Sequence, residues 1–129
     1  MNEIKLYLCE HCKNVAWKAH DSGVLMHCCG QPMTEMAPGT VDAAVEKHVP
    51  VIEVDGNTVT VKVGEVAHPM LEEHFIGIIA LQTGDRQVQF AQLKPGEAPE
   101  AKFAVADGTA PMIAYEWCNL HGLWLAKKN

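Results

Sequence analysis

From residue 49 onward the chain alternates between apolar and polar positions. V-P-V-I-E-V (49–54) and T-V-T-V-K-V (58–63) flank D-G-N. A period of two puts successive side chains on opposite faces of a strand. The pair therefore predicts a hairpin, with Val59, Val61 and Val63 on one face and Thr58, Thr60 and Lys62 on the other. H-F-I-G-I-I-A-L (74–81) and R-Q-V-Q-F-A-Q-L (86–93) around T-G-D predict a second hairpin. Shorter strands are expected at 101–105, 112–117 and 123–127, with a loop at 94–100. Helical pattern is weak, and only D-A-A-V-E-K (42–47) could make a turn or two. Many short strands separated by turns predict an antiparallel β-sandwich over 38–129.

The first 37 residues break this pattern. They are rich in Cys, His and Met, with turn residues at Asp21-Ser22-Gly23 and Gly30-Gln31-Pro32. A segment that short cannot bury an adequate core and needs a staple. P-G-T-V (38–41) reads as a connection, so the 129 residues divide into a module, 1–37, and a mainly β domain, 38–129. The net charge of −6 comes from 16 acids and 10 bases, with Arg86 the one arginine. No basic cluster exists, which argues against nucleic acid as a partner. No apolar run approaches the roughly 20 residues of a membrane span, and the start, M-N-E-I-K-L-Y-L-C, lacks a signal-peptide pattern. A cytoplasmic setting is the expectation, where cysteines more often bind metal than form disulfides.

Four of the five cysteines complete one another. Cys9-Glu10-His11-Cys12 is followed, after a 15-residue gap, by Cys28-Cys29. Four thiolates suit a tetrahedral zinc or iron site, and one ion can staple a module of this size. Adjacent cysteines in extended backbone point apart, so Cys28 and Cys29 reach one ion only if the chain bends. His11, His20 and His27 read as exposed or hydrogen-bonded histidines.

Cys118 is left over. It lies in W-C-N-L-H-G-L-W (117–124), three residues before His121. His48, His68 and His74 also sit beside turn-like residues at strand ends, where loops on a rigid scaffold converge. The bland alternative is separately satisfied histidines and a small buried thiol. The recurrence at strand ends favours a metal. A blue-copper site needs a methionine shortly after the last histidine, and Gly122-Leu123-Trp124 follows instead. Four imidazoles and a thiolate exceed the needs of structural zinc and leave one position open on an octahedral ion such as Fe(II).

C-x2-C…C-C, E-K-H-V-P (46–50), H-P-M-x3-H (68–74) and C-N-L-H-G-x-W (118–124), in that order, resemble desulfoferrodoxin, the two-iron class of superoxide reductase. The resemblance covers essentially the whole chain. It implies a desulforedoxin-like Fe(Cys)4 module held by Cys9, Cys12, Cys28 and Cys29. It also implies an immunoglobulin-like domain with an Fe(His)4(Cys) site: His48, His68, His74 and His121 equatorial, Cys118 axial. The implied activity is one-electron reduction of superoxide to hydrogen peroxide, with re-reduction by a rubredoxin-like donor, in a homodimer.

Glu46 and Lys47 precede His48. An E-K pair is ordinarily a solvated charge pair, but its place beside a ligand and the resemblance favour function. Lys47 would attract superoxide and orient water for protonation, and Glu46 would fill the sixth position of the oxidised iron. Met33, Met36, Met70 and Met112 read as core residues, and Trp117 and Trp124 as shields of the second site. Two other classes remain at this stage: an electron-transfer protein with both sites closed, and a zinc-stapled interaction module.

Overall fold

The computed structural model describes residues 1–39 and 44–129. It divides into two compact units, Glu3–Ala37 and Met1–Asn2 with Pro38–Asn129.

In the smaller unit β1 (Leu6–Leu8), β2 (Val15–Trp17), β3 (His27–Cys28), β4 (Gln31–Pro32) and β5 (Thr34–Glu35) are all two or three residues long. β1 lies between β2 and β5, and β3 pairs with β4. Tyr7, Cys9 and Met33 form the core, with Ala16, Met26 and Cys28 packed against it. So few apolar side chains cannot offset the ordering of the whole unit, since each ordered residue costs about 1.5 kcal/mol. Cys9 and Cys28 belong to this small core, where a metal would act as the staple.

The larger unit begins its regular structure with α1 (Val45–His48), one helical turn. The helical pattern expected over 42–47 is thus shifted toward His48, and residues 42 and 43 lie outside the described residues. Seven strands follow: β6 (Pro50–Asp55), β7 (Thr58–Val63), β8 (Ile76–Thr83), β9 (Gln87–Gln92), β10 (Glu100–Ala104), β11 (Met112–Cys118) and β12 (Gly122–Lys128). They form two antiparallel sheets, ordered β10-β7-β6 and β12-β11-β8-β9. This is the mainly β antiparallel sandwich expected from the alternation, of the immunoglobulin-like kind that the resemblance implies. Val59, Val61 and Val63 face the core, with Ile79, Leu81, Phe103, Met112 and Ala114. Burying each such side chain stabilises by roughly 1.5–3 kcal/mol, so a one-residue slip of β7 would expose three valines.

Two departures position the site. His74 does not open β8; it pairs with Leu71 in an isolated bridge, each backbone N–H donating to the other's carbonyl. That closes a tight loop between Pro69 and the strand. β11 carries an irregularity between Trp117 and Cys118 in its pairing with β8. Such a bulge re-aims the side chain that follows it, here Cys118.

Candidate metal centres

The residues singled out by cysteine spacing, and those collected by strand-end position and resemblance, gather in two groups. Cys9, Cys12, Cys28 and Cys29 form one; His48, His68, His74, Cys118 and His121 form the other. Within each group the potential donor atoms all lie within 4.8 Å of one another.

In the thiol group the Sγ atoms of Cys12 and Cys28 are 3.5 Å apart, and those of Cys28 and Cys29 4.0 Å. Thiolates about 2.3 Å from one tetrahedral ion stand roughly 3.8 Å from each other. The bend required by adjacent cysteines is present: Cys29 takes a left-handed φ of 55°. Lys13 does likewise at 67° after the first pair. The backbone N–H of Cys12 donates to Cys9 Sγ at 3.4 Å and is the chief cause holding the Cys9 thiol down at about 6. Cys29 is pushed up to about 12, chiefly by its contact with Cys12. Cys9 ionises readily while Cys28 and Cys29 resist, a conflict that a cation among them removes.

The second group is assembled from three places. His48 ends α1, His68 and His74 bracket the 68–74 loop, and Cys118 and His121 bracket the β11–β12 turn. Gly122, with φ 75°, completes that turn. The four rings form a circle. Neighbouring centroids, His48–His68, His68–His74, His74–His121 and His121–His48, are 4.6, 4.6, 5.0 and 4.9 Å apart, with planes 78–87° to each other. His48 and His74 face each other across it at 6.4 Å, tilted 26°. Cys118 Sγ lies 3.5 Å from His68 Nε2 and 3.9 Å from His121 Nδ1.

The nitrogens carry the strongest sign of a cation site. His48 Nδ1 lies 2.7 Å from the Ala44 carbonyl oxygen, and His68 Nδ1 2.7 Å from that of Pro69. A carbonyl only accepts, so each Nδ1 bears the proton. Burial, above all, lowers both pKa values, that of His68 to about 4. The two rings are therefore neutral near pH 7, and each Nε2 is a bare lone pair. Those two Nε2 atoms stand 3.1 Å apart, buried. Two acceptors at that distance repel unless a cation lies between their lone pairs. Imidazole donors at right angles, about 2.0–2.1 Å from one ion, stand roughly 3 Å apart. His48 Nε2 and His121 Nδ1 are also 3.1 Å apart, and His74 Nε2 is buried with no hydrogen-bond partner among the described residues. The Cys118 thiol is raised by burial, with the backbone N–H groups of Leu120 and His121 acting the other way. These donor sets suit two iron ions, one in four thiolates and one in four imidazoles and a thiolate.

Three neighbours escaped sequence reasoning or exceed what it gave. Trp124 packs on the His48 ring at 5.2 Å, and its indole N–H donates to the His121 carbonyl at 3.0 Å. It is thus more than a shield. Asn119 bonds the 73–75 segment on both sides of His74. Glu116 is buried, its carboxylate oxygens have no partner among the described residues, and burial pushes its pKa up to about 9. The alternation of M-I-A-Y-E-W places Glu116 on the same face as Met112 and Ala114, and that was the available signal. Glu46 and Lys47 are exposed on α1. Their charges act on His48, and that of Lys47 also on His74.

Residues 40–127 match the Desulfoferrodoxin family model. A desulfoferrodoxin of Nitratidesulfovibrio vulgaris is 48% identical over 127 residues, covering 98% of each chain. The crystal structure of the superoxide reductase from Treponema pallidum superposes with a TM-score of 0.80 at 39% identity, over 97% of this chain and 99% of that one. The superoxide reductase (1Fe-SOR) from Giardia intestinalis matches at 36% identity and a TM-score of 0.58, over 65% of this chain and 98% of that one. With the motifs in order, the sandwich in register and the donors gathered, the chain belongs to the desulfoferrodoxin family.

Proposed function

We propose that this protein is a superoxide reductase: superoxide takes up one electron and two protons and leaves as hydrogen peroxide. The observation that carries the reading is the His48–His68 pair of bare nitrogens, 3.1 Å apart within a ring of four imidazoles over one thiol. Iron bound by His48, His68, His74, His121 and Cys118 would supply the electron and accept the anion. Four neutral imidazoles and a single thiolate leave a divalent ion with net positive charge, which favours an anionic substrate.

The chain's own residues do the rest. His48, His68 and Cys118 are buried while His74 and His121 are half-buried, so the ring has one wetter edge. Lys47 would draw superoxide in against the protein's net negative charge of −6 and orient the water that donates a proton. Glu46 would offer its carboxylate to the oxidised ion once product has left. The N–H groups of Leu120 and His121 temper the basicity of the Cys118 sulfur, as neighbours of metal ligands do.

The division of labour we propose assigns residues 1–37 to a desulforedoxin-like Fe(Cys)4 module and 38–129 to the catalytic domain. A rubredoxin-like protein returns the electron, and the chain works as a cytoplasmic homodimer. No described helix is long and apolar enough to cross a membrane.

Metal analysis with visible spectra before and after reduction comes first, then pulse radiolysis. Two irons per chain, and one hydrogen peroxide per superoxide with no O2 evolved, is the expected result. Two irons without superoxide consumption would leave an electron-transfer protein. One zinc with no redox-active band, and no activity after iron reconstitution, would leave a structural module.

A further inference from the structure

Of the four imidazoles, His48 and His68 are steadied by an Nδ1 bond to a nearby carbonyl, and His121 by the bond from Trp124 to its own carbonyl. The His74 ring makes no hydrogen bond among the described residues, its Nε2 being buried and unpaired, and its backbone N–H and carbonyl pair only with Leu71 of the same loop. It is also half-buried and stands on the 68–74 loop, outside β8. The Leu71 bridge is internal to the loop, and a preorganised site holds its ligands to within roughly 0.5 Å. Something other than its own ring must fix it.

Asn119 supplies three bonds around it. Its side-chain oxygen accepts from the Phe75 N–H at 2.8 Å. Its side-chain nitrogen donates to the Glu73 carbonyl at 3.1 Å. Its own backbone N–H donates to the Phe75 carbonyl at 3.2 Å. The residues on both sides of His74 are thereby tied to the residue directly after Cys118. An amide is the side chain that can donate and accept at once across this gap.

We infer that Asn119 is the positioning residue that sets His74 against Cys118, acting through Glu73 and Phe75 rather than on the metal or substrate itself. It couples Cys118 to a histidine whose ring makes no hydrogen bond of its own among the described residues. The inference rests on the metal-site reading above. The side-chain bonds are what distinguish the residue, because the backbone bond to Phe75 would survive any substitution.

The test is loss of iron to a ferrous chelator from the full, two-iron protein, with the four-thiolate site as internal reference. Asn119→Ala is expected to release the iron of the histidine-rich site about 10–100-fold faster, the usual range for removing a neighbour that orients a ligand. The four-thiolate site should release at the wild-type rate, and the sulfur-to-iron band of the histidine-rich site should shift. Asn119→Asp keeps the acceptor for Phe75 and loses the donor to Glu73, so it should fall between, and it serves if the alanine variant does not fold. Asn57→Ala is the structural control. Its side-chain oxygen holds the Gly108 N–H at 3.0 Å in the turn at the far end of β6 and β7 from His48. Release from Asn119→Ala at the wild-type rate, or equal acceleration by Asn57→Ala, would overturn the inference. A wild-type protein that took up no iron at the histidine-rich site would instead sink the functional reading.

Discussion

Gly64 is the position where the smallest substitution should do the greatest damage to the histidine-rich site. It follows β7 with φ 83°, and a Cβ there would meet the Val66 carbonyl oxygen at 2.5 Å, that of Glu46 at 2.6 Å and the Lys47 carbonyl carbon at 2.7 Å. The Val66 N–H bonds the same Glu46 carbonyl at 3.0 Å. Ordinary carbon–oxygen approach is about 3.3 Å, so α1 must retreat by roughly 0.7 Å to admit the methyl group. That turn carries Glu46, Lys47 and, at its end, His48. Displacements of about 1 Å cost enzymes on the order of 100-fold in rate. Gly84→Ala isolates the other part of the cost: its φ is 60° and nothing lies within 4 Å of the new Cβ. That control should lose only the left-handed penalty of about 1–2 kcal/mol in urea unfolding. Gly64→Ala should lose about 1–3 kcal/mol more from overpacking. Its histidine-rich site should retain less iron than its four-thiolate site, or react with superoxide at least ~10-fold more slowly by pulse radiolysis. Equal unfolding energies for the two variants, with wild-type kinetics in Gly64→Ala, would refute the argument that this glycine seats α1.

Three further outcomes are expected. Lys47→Ala should slow superoxide capture and flatten its ionic-strength dependence while both irons stay bound; unchanged kinetics would remove Lys47 from the reaction. Glu46→Ala should leave turnover nearly intact but alter the spectrum of the oxidised protein, and identical spectra would discard its carboxylate as a ligand. Trp124→Phe keeps a ring beside His48 but removes the bond to the His121 carbonyl, whose net worth is about 0.5–1.5 kcal/mol; its effect should appear as faster iron release from the histidine-rich site, and wild-type release would confine Trp124 to packing.

Much of this architecture was written in local pattern, and what was not follows a physical rule. The β6–β7 and β8–β9 hairpins are legible because a period of two and a tight turn are local properties, and the register Val59↔Val54 through Val63↔Pro50 follows from burying three valines. The cysteine spacing announced a four-thiolate site, and even its difficulty, two adjacent thiols, pointed to a bend that the left-handed Cys29 supplies. The histidines could be collected by their strand-end positions and by family resemblance. Their order around the ring could not be read from residue types, because it depends on which strand ends the two sheets bring together. The β11 irregularity before Cys118 and the Leu71–His74 bridge left no period to detect. Residue type was misleading at Asn119 and Glu116. An asparagine in a turn ordinarily satisfies its own backbone, yet Asn119 serves a segment 44 positions away. A glutamate in an alternating strand ordinarily faces water, yet Glu116 is buried with Met112 and Ala114. The candidate ligands were visible as residue types, while the roles of these two neighbours became visible only once distant segments had been brought together. Substitutions in the second group are therefore the sharper test of the structure, since a sequence motif alone predicts nothing about them.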